Sequence, residues 1–150
     1  MRKKLKPLEY AFWLLELRDR SISEMESKLR KKEFETEEIE KIMNFLIDKK
    51  FLDDKRFAEN FVRFKKTIKP VGKYYLRGKL LEKKVPMDII EQVLSNQPDD
   101  LSEVEEAADR WLKKHSSVSK EKIYEKLSRH LISRGFDWQK TKEAIDSKLC

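Results

Sequence analysis

Ala11, Ala58 and Ala108 each open the same apolar pattern, and this threefold repetition constrains the fold more than any other feature of the chain. Three residues on stand Leu14, Phe61 and Trp111, and four residues on stand Leu15, Val62 and Leu112. An i, i+4 pair follows in every copy: Met25/Leu29, Leu76/Leu80 and Leu127/Leu131. A single apolar residue comes next, Phe34, Val85 or Phe136, and then Ile39, Ile42 and Met43 or their counterparts Ile90, Val93 and Leu94. The third copy has Thr141, Ala144 and Ile145 at those offsets, a weaker version. Steps of three and four stack side chains on one face of a helix, so each copy reads as three short helices. Repeated units of this kind bury their apolar faces partly against their neighbours. The sequence predicts an all-α fold, an elongated array of three tandem three-helix repeats with about nine helices. The expected repeats are residues 8–52, 53–98 and 99–150, after a basic arm at 1–7.

Local signals place the helix ends. SISE at 21–24 has the capping-box pattern, in which Ser21 and Glu24 satisfy each other's free amides. Thr36 and the pair Asp53–Asp54 precede apolar-periodic segments. Pro86 suits a first helical position, where a missing N–H costs nothing, and Gly135 suits a left-handed helix end. SNQPDD at 95–100 is the expected link between the second and third copies.

Chemistry is sparse. There is no HExxH, no glycine-rich phosphate loop and no GxSxG. The two histidines, His115 in the link KKHSSVSK and His130 on the second helix of the third copy, are widely separated. The single cysteine, Cys150, ends the chain; it allows no internal disulfide and no cysteine-based zinc site. The acidic runs ETEEIE and SEVEE read as solvated helix faces. Phe57, Phe61, Phe64 and Ile68 recur at helical spacing and are expected to form a core stripe. No catalytic residue, metal or cofactor is expected. The opening MRKKLKPLEYAFWLLEL is basic like a secretion signal, but Glu9 and Glu16 flank its short apolar run and no cleavage site follows. No stretch approaches the ~20 apolar residues of a membrane span. A soluble, cytoplasmic monomer is the expectation.

The charge carries the functional signal. The net charge is +7, yet residues 63–84 hold nine basic side chains and one acid, Glu82. The candidate working surface comprises Arg56, Arg63, Lys65, Lys66, Lys69, Lys73, Arg77, Lys79, Lys83 and Lys84. On ideal helices Lys55, Arg56, Arg63 and Lys66 point away from the phenylalanine stripe, and Lys65 lies nearer its edge. Lys73, Arg77 and Lys84 lie on one side of Leu76 and Leu80, with Lys79 and Lys83 on the other. The window lacks the i, i+4 ion pairs available elsewhere in the chain, so it repels itself unless something compensates it. Nucleic-acid phosphate, an acidic protein partner, or solvent alone are all open as its counterpart.

Residues 51–85, FLDDKRFAENFVRFKKTIKPVGKYYLRGKLLEKKV, resemble the central repeat of the RecX family, regulators of the bacterial recombinase RecA. The matching positions are Leu52, Asp53, Asp54, Arg56, Phe57, Ala58, Phe61, Val62, Arg63, Gly72 and Leu80. LELRDRSISEMESKLRKKEF in the first copy resembles the corresponding run of the family. Two positions depart from the pattern: Glu33 and Lys84 stand where a turn glycine is expected, and Gly135 alone keeps it. The resemblance implies a helical-repeat protein that binds the RecA filament on single-stranded DNA and restrains RecA's recombinase, ATPase and co-protease activities. Direct DNA contact, with or without RecA, is the alternative it leaves open.

Overall fold

A computed structural model describes residues 5–97 and 101–149; the first four residues of the basic arm, part of the 95–100 link and Cys150 lie outside them. Among the described residues there are nine helices and no strand. They are α1 (Pro7–Leu17), α2 (Ile22–Lys31), α3 (Thr36–Asp48), α4 (Asp54–Ile68), α5 (Lys73–Glu82), α6 (Met87–Ser95), α7 (Leu101–Lys114), α8 (Lys120–Ser133) and α9 (Trp138–Leu149).

The repeating positions are the core positions. Ala11, Ala58 and Ala108 are completely buried, as are Met25, Leu29, Leu76, Leu80, Leu127 and Leu131. A small residue within each first helix lets another segment approach closely, and the i, i+4 pair of the second helix adds apolar burial. Thr141, which replaces the Ile39 and Ile90 of the other copies, is equally buried, and its hydroxyl has no hydrogen-bond partner. One expectation is corrected. Phe57 is buried, but Phe64 and Ile68 are exposed (61% and 54%), because the buried line of α4 runs through Phe57, Ala58 and Val62.

Contacts group the chain into two compact units, one of residues up to Asn60 with Leu80–Ile90, the other of Phe61–Lys79 with residues from Glu91 onward. The divisions fall inside α4, α5 and α6, so the middle copy contributes to both units.

In the first unit α1, α2 and α3 pack together around Leu14, Met25, Leu29 and Leu46. The capping box forms as its sequence predicts: Ser21 Oγ accepts the Glu24 N–H at 3.1 Å, and a Glu24 carboxylate oxygen accepts the Ser21 N–H at 3.1 Å. Two residues of the middle copy complete this helix start. Asp54 accepts the Ile22 N–H at 2.9 Å, and Ser21 Oγ donates to the Lys83 carbonyl at 2.8 Å. Burial pushes the Asp54 carboxyl above its ordinary range, and the negative charges of Asp53 and Glu24 add to this against the Ile22 bond. Thr36 does not cap α3; Glu35 takes that position without a side-chain bond, and Thr36 is the first helical residue. Asp53 does cap α4, accepting the Arg56 N–H at 3.1 Å. Pro86 sits one residue ahead of α6 rather than within it, and its carbonyl accepts the Ile90 N–H.

In the second unit α7, α8 and α9 pack on one another around Trp111, Leu127, Leu131 and Ile145. The link before α5 adds a backbone contact: the Gly72 N–H donates to the Arg134 carbonyl at 2.8 Å, and the Tyr74 N–H to the Gly135 carbonyl at 3.1 Å.

The turn positions that lack glycine keep the left-handed backbone. Glu33 has φ 62° and Lys84 φ 57°, alongside Gly135 at 86°. At Lys84 and Gly135 the following amides, Val85 and Phe136, reach back to Leu80 and Leu131, closing the helix ends in the same way. A side chain in this conformation costs about 1–2 kcal/mol, which the apolar burial of Val85 offsets.

Candidate partner-binding surface

The ten basic candidates divide between the units: Arg56, Lys83 and Lys84 in the first, and Arg63, Lys65, Lys66, Lys69, Lys73, Arg77 and Lys79 in the second.

Three of them are paired with carboxylates from their own unit. Lys66 Nζ lies 3.2 Å from Glu103, with both side chains about three-quarters covered. Arg77 forms a two-pronged pair with Glu91 at 2.7 and 3.3 Å, and the guanidinium also covers the Tyr74 ring. The Glu91 bond and charge raise the Arg77 pKa further above its ordinary value. Lys83 Nζ lies 3.3 Å from Glu24, which Arg18 holds at 2.7 Å from the other side. Burial alone would raise the Glu24 carboxyl. The Arg18 bond, the Ser21 amide and the charges of Arg18 and Lys83 outweigh it and hold the pKa at about 2.

This shift sets a pH dependence. The folded-state value lies below the ordinary 4.5, so the network stabilises the fold above that pH and the contribution is lost as pH falls toward about 2. Glu24→Gln keeps an oxygen for the capping box but removes the charge. Acid titration of the melting temperature is expected to show a shallower fall for Glu24→Gln than for the native chain between those values. Parallel curves would remove Glu24 as the source.

Arg56 donates to the Phe51 carbonyl at 3.2 Å, and Lys65 and Lys79 lie over the rings of Phe61 and Tyr75. Arg63 and Lys84 are exposed. Lys84 borders a shallow hollow with Arg30 and Lys31. Lys66, Lys73 and Arg77 do come together, around a cleft of about 120 Å³ floored by Gly72, Gly135 and Phe136. Glu103 and Asp137 line the same cleft and offset part of its charge, which Lys140 adds to. The local absence of acids in the basic window is thus met in part from far along the chain, by Glu24, Glu91 and Glu103.

Sequence reasoning missed a set of cations beside Lys69. Arg110, Lys114, His115, His130 and Arg134 share one open hollow with it. The signal was present as the i, i+4 pairs Arg110/Lys114 and His130/Arg134, each on one helix face. Among the described residues no group of His, Cys, Asp or Glu is arranged to hold a metal ion. No helix among them is long and apolar enough to cross a membrane.

Comparison with known proteins gives a consistent result. Residues 8–46 match the family model described as RecX, first three-helix domain, and residues 53–94 the model of the second three-helix domain. A protein of Prosthecochloris aestuarii named Regulatory protein RecX is 37% identical over 146 residues, covering 96% of this chain and 94% of its own. A Vibrio parahaemolyticus protein of the same name is 32% identical, covering 91% of this chain and 88% of its own. The crystal structure of RecX from Lactobacillus salivarius superposes with a TM-score of 0.84 at 25% identity, over 95% of this chain and 94% of that one.

Proposed function

The chain belongs to the RecX family, and on that premise we propose that it binds the RecA filament on single-stranded DNA and restrains RecA's recombinase, ATPase and co-protease activities. The observation that carries this reading is the reach of the likeness: it runs through 96% of the chain, so all three copies share in it. The working units in this reading are the repeats at 8–52, 53–98 and 99–150, in a cytoplasmic protein acting as a monomer.

Regulation of this kind asks for no bond chemistry. A tandem helical array acts by occupying surface and bridging neighbouring protomers of a filament. The excess of cations in the middle copy supports an acidic counterpart, because long-range attraction speeds encounter and weakens with salt. RecA surface and DNA phosphate both satisfy that requirement.

The pairing pattern sharpens which residues to test. Reversing Lys66, Arg77 or Lys83 would break an internal ion pair and confuse folding with binding. Lys65 lies over the Phe61 ring, and Lys73 acts on Glu91 through its charge, with no close ion pair for either among the described residues. Lys65→Glu with Lys73→Glu is expected to weaken association with RecA filaments by roughly tenfold or more, with helix content and melting nearly unchanged. Filament binding at native affinity by this folded variant would remove the middle copy as the contact surface.

A further inference from the structure

The hollow missed by the sequence reading lies entirely within the second unit and has a volume of about 360 Å³. Lys69 enters from the link after α4, Arg110, Lys114 and His115 from α7 and its end, and His130 and Arg134 from α8 and its end. None of its lining residues is Asp or Glu. Arg110 has a partner, Glu106 one turn away at 2.9 Å, but both side chains are more than half exposed and solvent screens the pair. Lys69, Lys114 and Arg134 have no carboxylate partner among the described residues. Here the contrast with the neighbouring cleft is sharp: Lys66, Lys73 and Arg77 face carboxylates, whereas these cations face one another.

The histidines add a second observation. The His115 ring stacks on Trp111, with centroids 4.1 Å apart and planes 11° from parallel, and its Nδ1 lies 2.8 Å from the Trp111 carbonyl. A carbonyl only accepts, so Nδ1 carries the hydrogen. Burial holds the His130 pKa below its ordinary value, and the charges of Arg134, His115, Lys69 and Lys114 push it the same way. The site repels a proton for the same reason that it attracts an anion.

We propose that this hollow is a phosphate-group site that holds the backbone of a single nucleic-acid strand, with Lys69, Lys114 and Arg134 as the phosphate contacts. Guanidinium and ammonium donors converging without a carboxylate are the usual means of holding phosphate oxygens. The hollow is open and its cations come from two helices and a link, which suits a chain of phosphates passing through better than one enclosed ion. The bases are not read, since no set of Asn, Gln and Arg donors converges there to match a base edge. Occupancy is linked to protonation: a bound phosphate offsets the surrounding cations, so the His130 pKa rises on binding, and affinity increases as pH falls.

The proposal does not rest on RecA, and its test leaves RecA out. Anisotropy of a labelled oligothymidylate is measured with the full chain and with Lys114→Gln/Arg134→Gln. A control, Lys41→Gln/Lys49→Gln, removes the same charge from exposed positions on and beside α3. The hollow variant is expected to bind roughly tenfold more weakly or worse, and the control to bind like the native chain. The salt dependence of log K should fall by about 1.4, at ~0.7 per lost phosphate contact. Nuclear magnetic resonance titration of the native chain should show the His130 pKa rising when the oligonucleotide is added. Equal weakening in both variants, or a His130 pKa indifferent to the oligonucleotide, would overturn the site. If inorganic phosphate shifts His130 and the oligonucleotide does not, the site serves a free anion and the nucleic-acid assignment fails.

Discussion

Gly135→Ala is expected to destabilise the second unit by roughly 3–4 kcal/mol, from left-handed strain together with loss of the backbone bonds around it. A Cβ at this position would run into the backbone and Cβ of Tyr75, and the residue already has φ 86°. Gly72 is its counterpart: a Cβ there would overlap the Gly135 carbonyl and the Phe136 amide. Neither obstacle is the tip of a flexible side chain, so the two segments must separate. The Gly72-to-Arg134 and Tyr74-to-Gly135 hydrogen bonds go with them. The expected fall in melting temperature is roughly 10 °C for either substitution. Gly78 supplies the internal control. It lies within α5 with open space where a Cβ would go, so Gly78→Ala should stabilise by about 0.5–1 kcal/mol. Native-like melting of Gly135→Ala would mean the close approach of link and turn is absent.

Ser21→Ala is expected to cost about 2–3 kcal/mol, more than an ordinary helix cap, because one hydroxyl serves two buried groups. Ser21 is completely buried; it accepts the Glu24 N–H and donates to the Lys83 carbonyl. Alanine leaves both without their partner and adds nothing in return. The Lys83 carbonyl belongs to the turn that ends α5, so the loss reaches a segment 62 residues away in sequence. Urea unfolding checks the size of the effect. A cost near 1 kcal/mol or below would reduce Ser21 to a local cap. Ser95→Ala, whose exposed hydroxyl bonds only the Gln92 carbonyl on its own helix, should change little.

The repeat was readable because burial and periodicity coincide. Every alanine, every i, i+4 pair and most third-helix positions marked by spacing are core residues. The phenylalanine stripe misled because α4 carries more apolar residues than it buries, and period alone does not say which of two adjacent lines faces inward. Glu33 and Lys84 show a different limit. Their turns adopt the left-handed backbone without the glycine that would have announced it, since packing of the next apolar residue outweighs the local cost.

The candidate surface was readable as composition but not as a site. A run of like charge is visible in the chain; its compensation by Glu24, Glu91 and Glu103 depends on tertiary contacts across 14 to 59 residues. The cationic hollow is the converse case. Its residues come from three separate stretches of the sequence, around Lys69, Arg110–His115 and His130–Arg134, and only helix packing brings them together.

The central claim, that this RecX-family chain restrains RecA, is tested most directly by the steady-state ATPase rate of RecA on single-stranded DNA as the protein is added. The account predicts a rate that falls with added protein and levels off at saturation, with less inhibition as salt rises. An ATPase rate unchanged at saturating protein would contradict it.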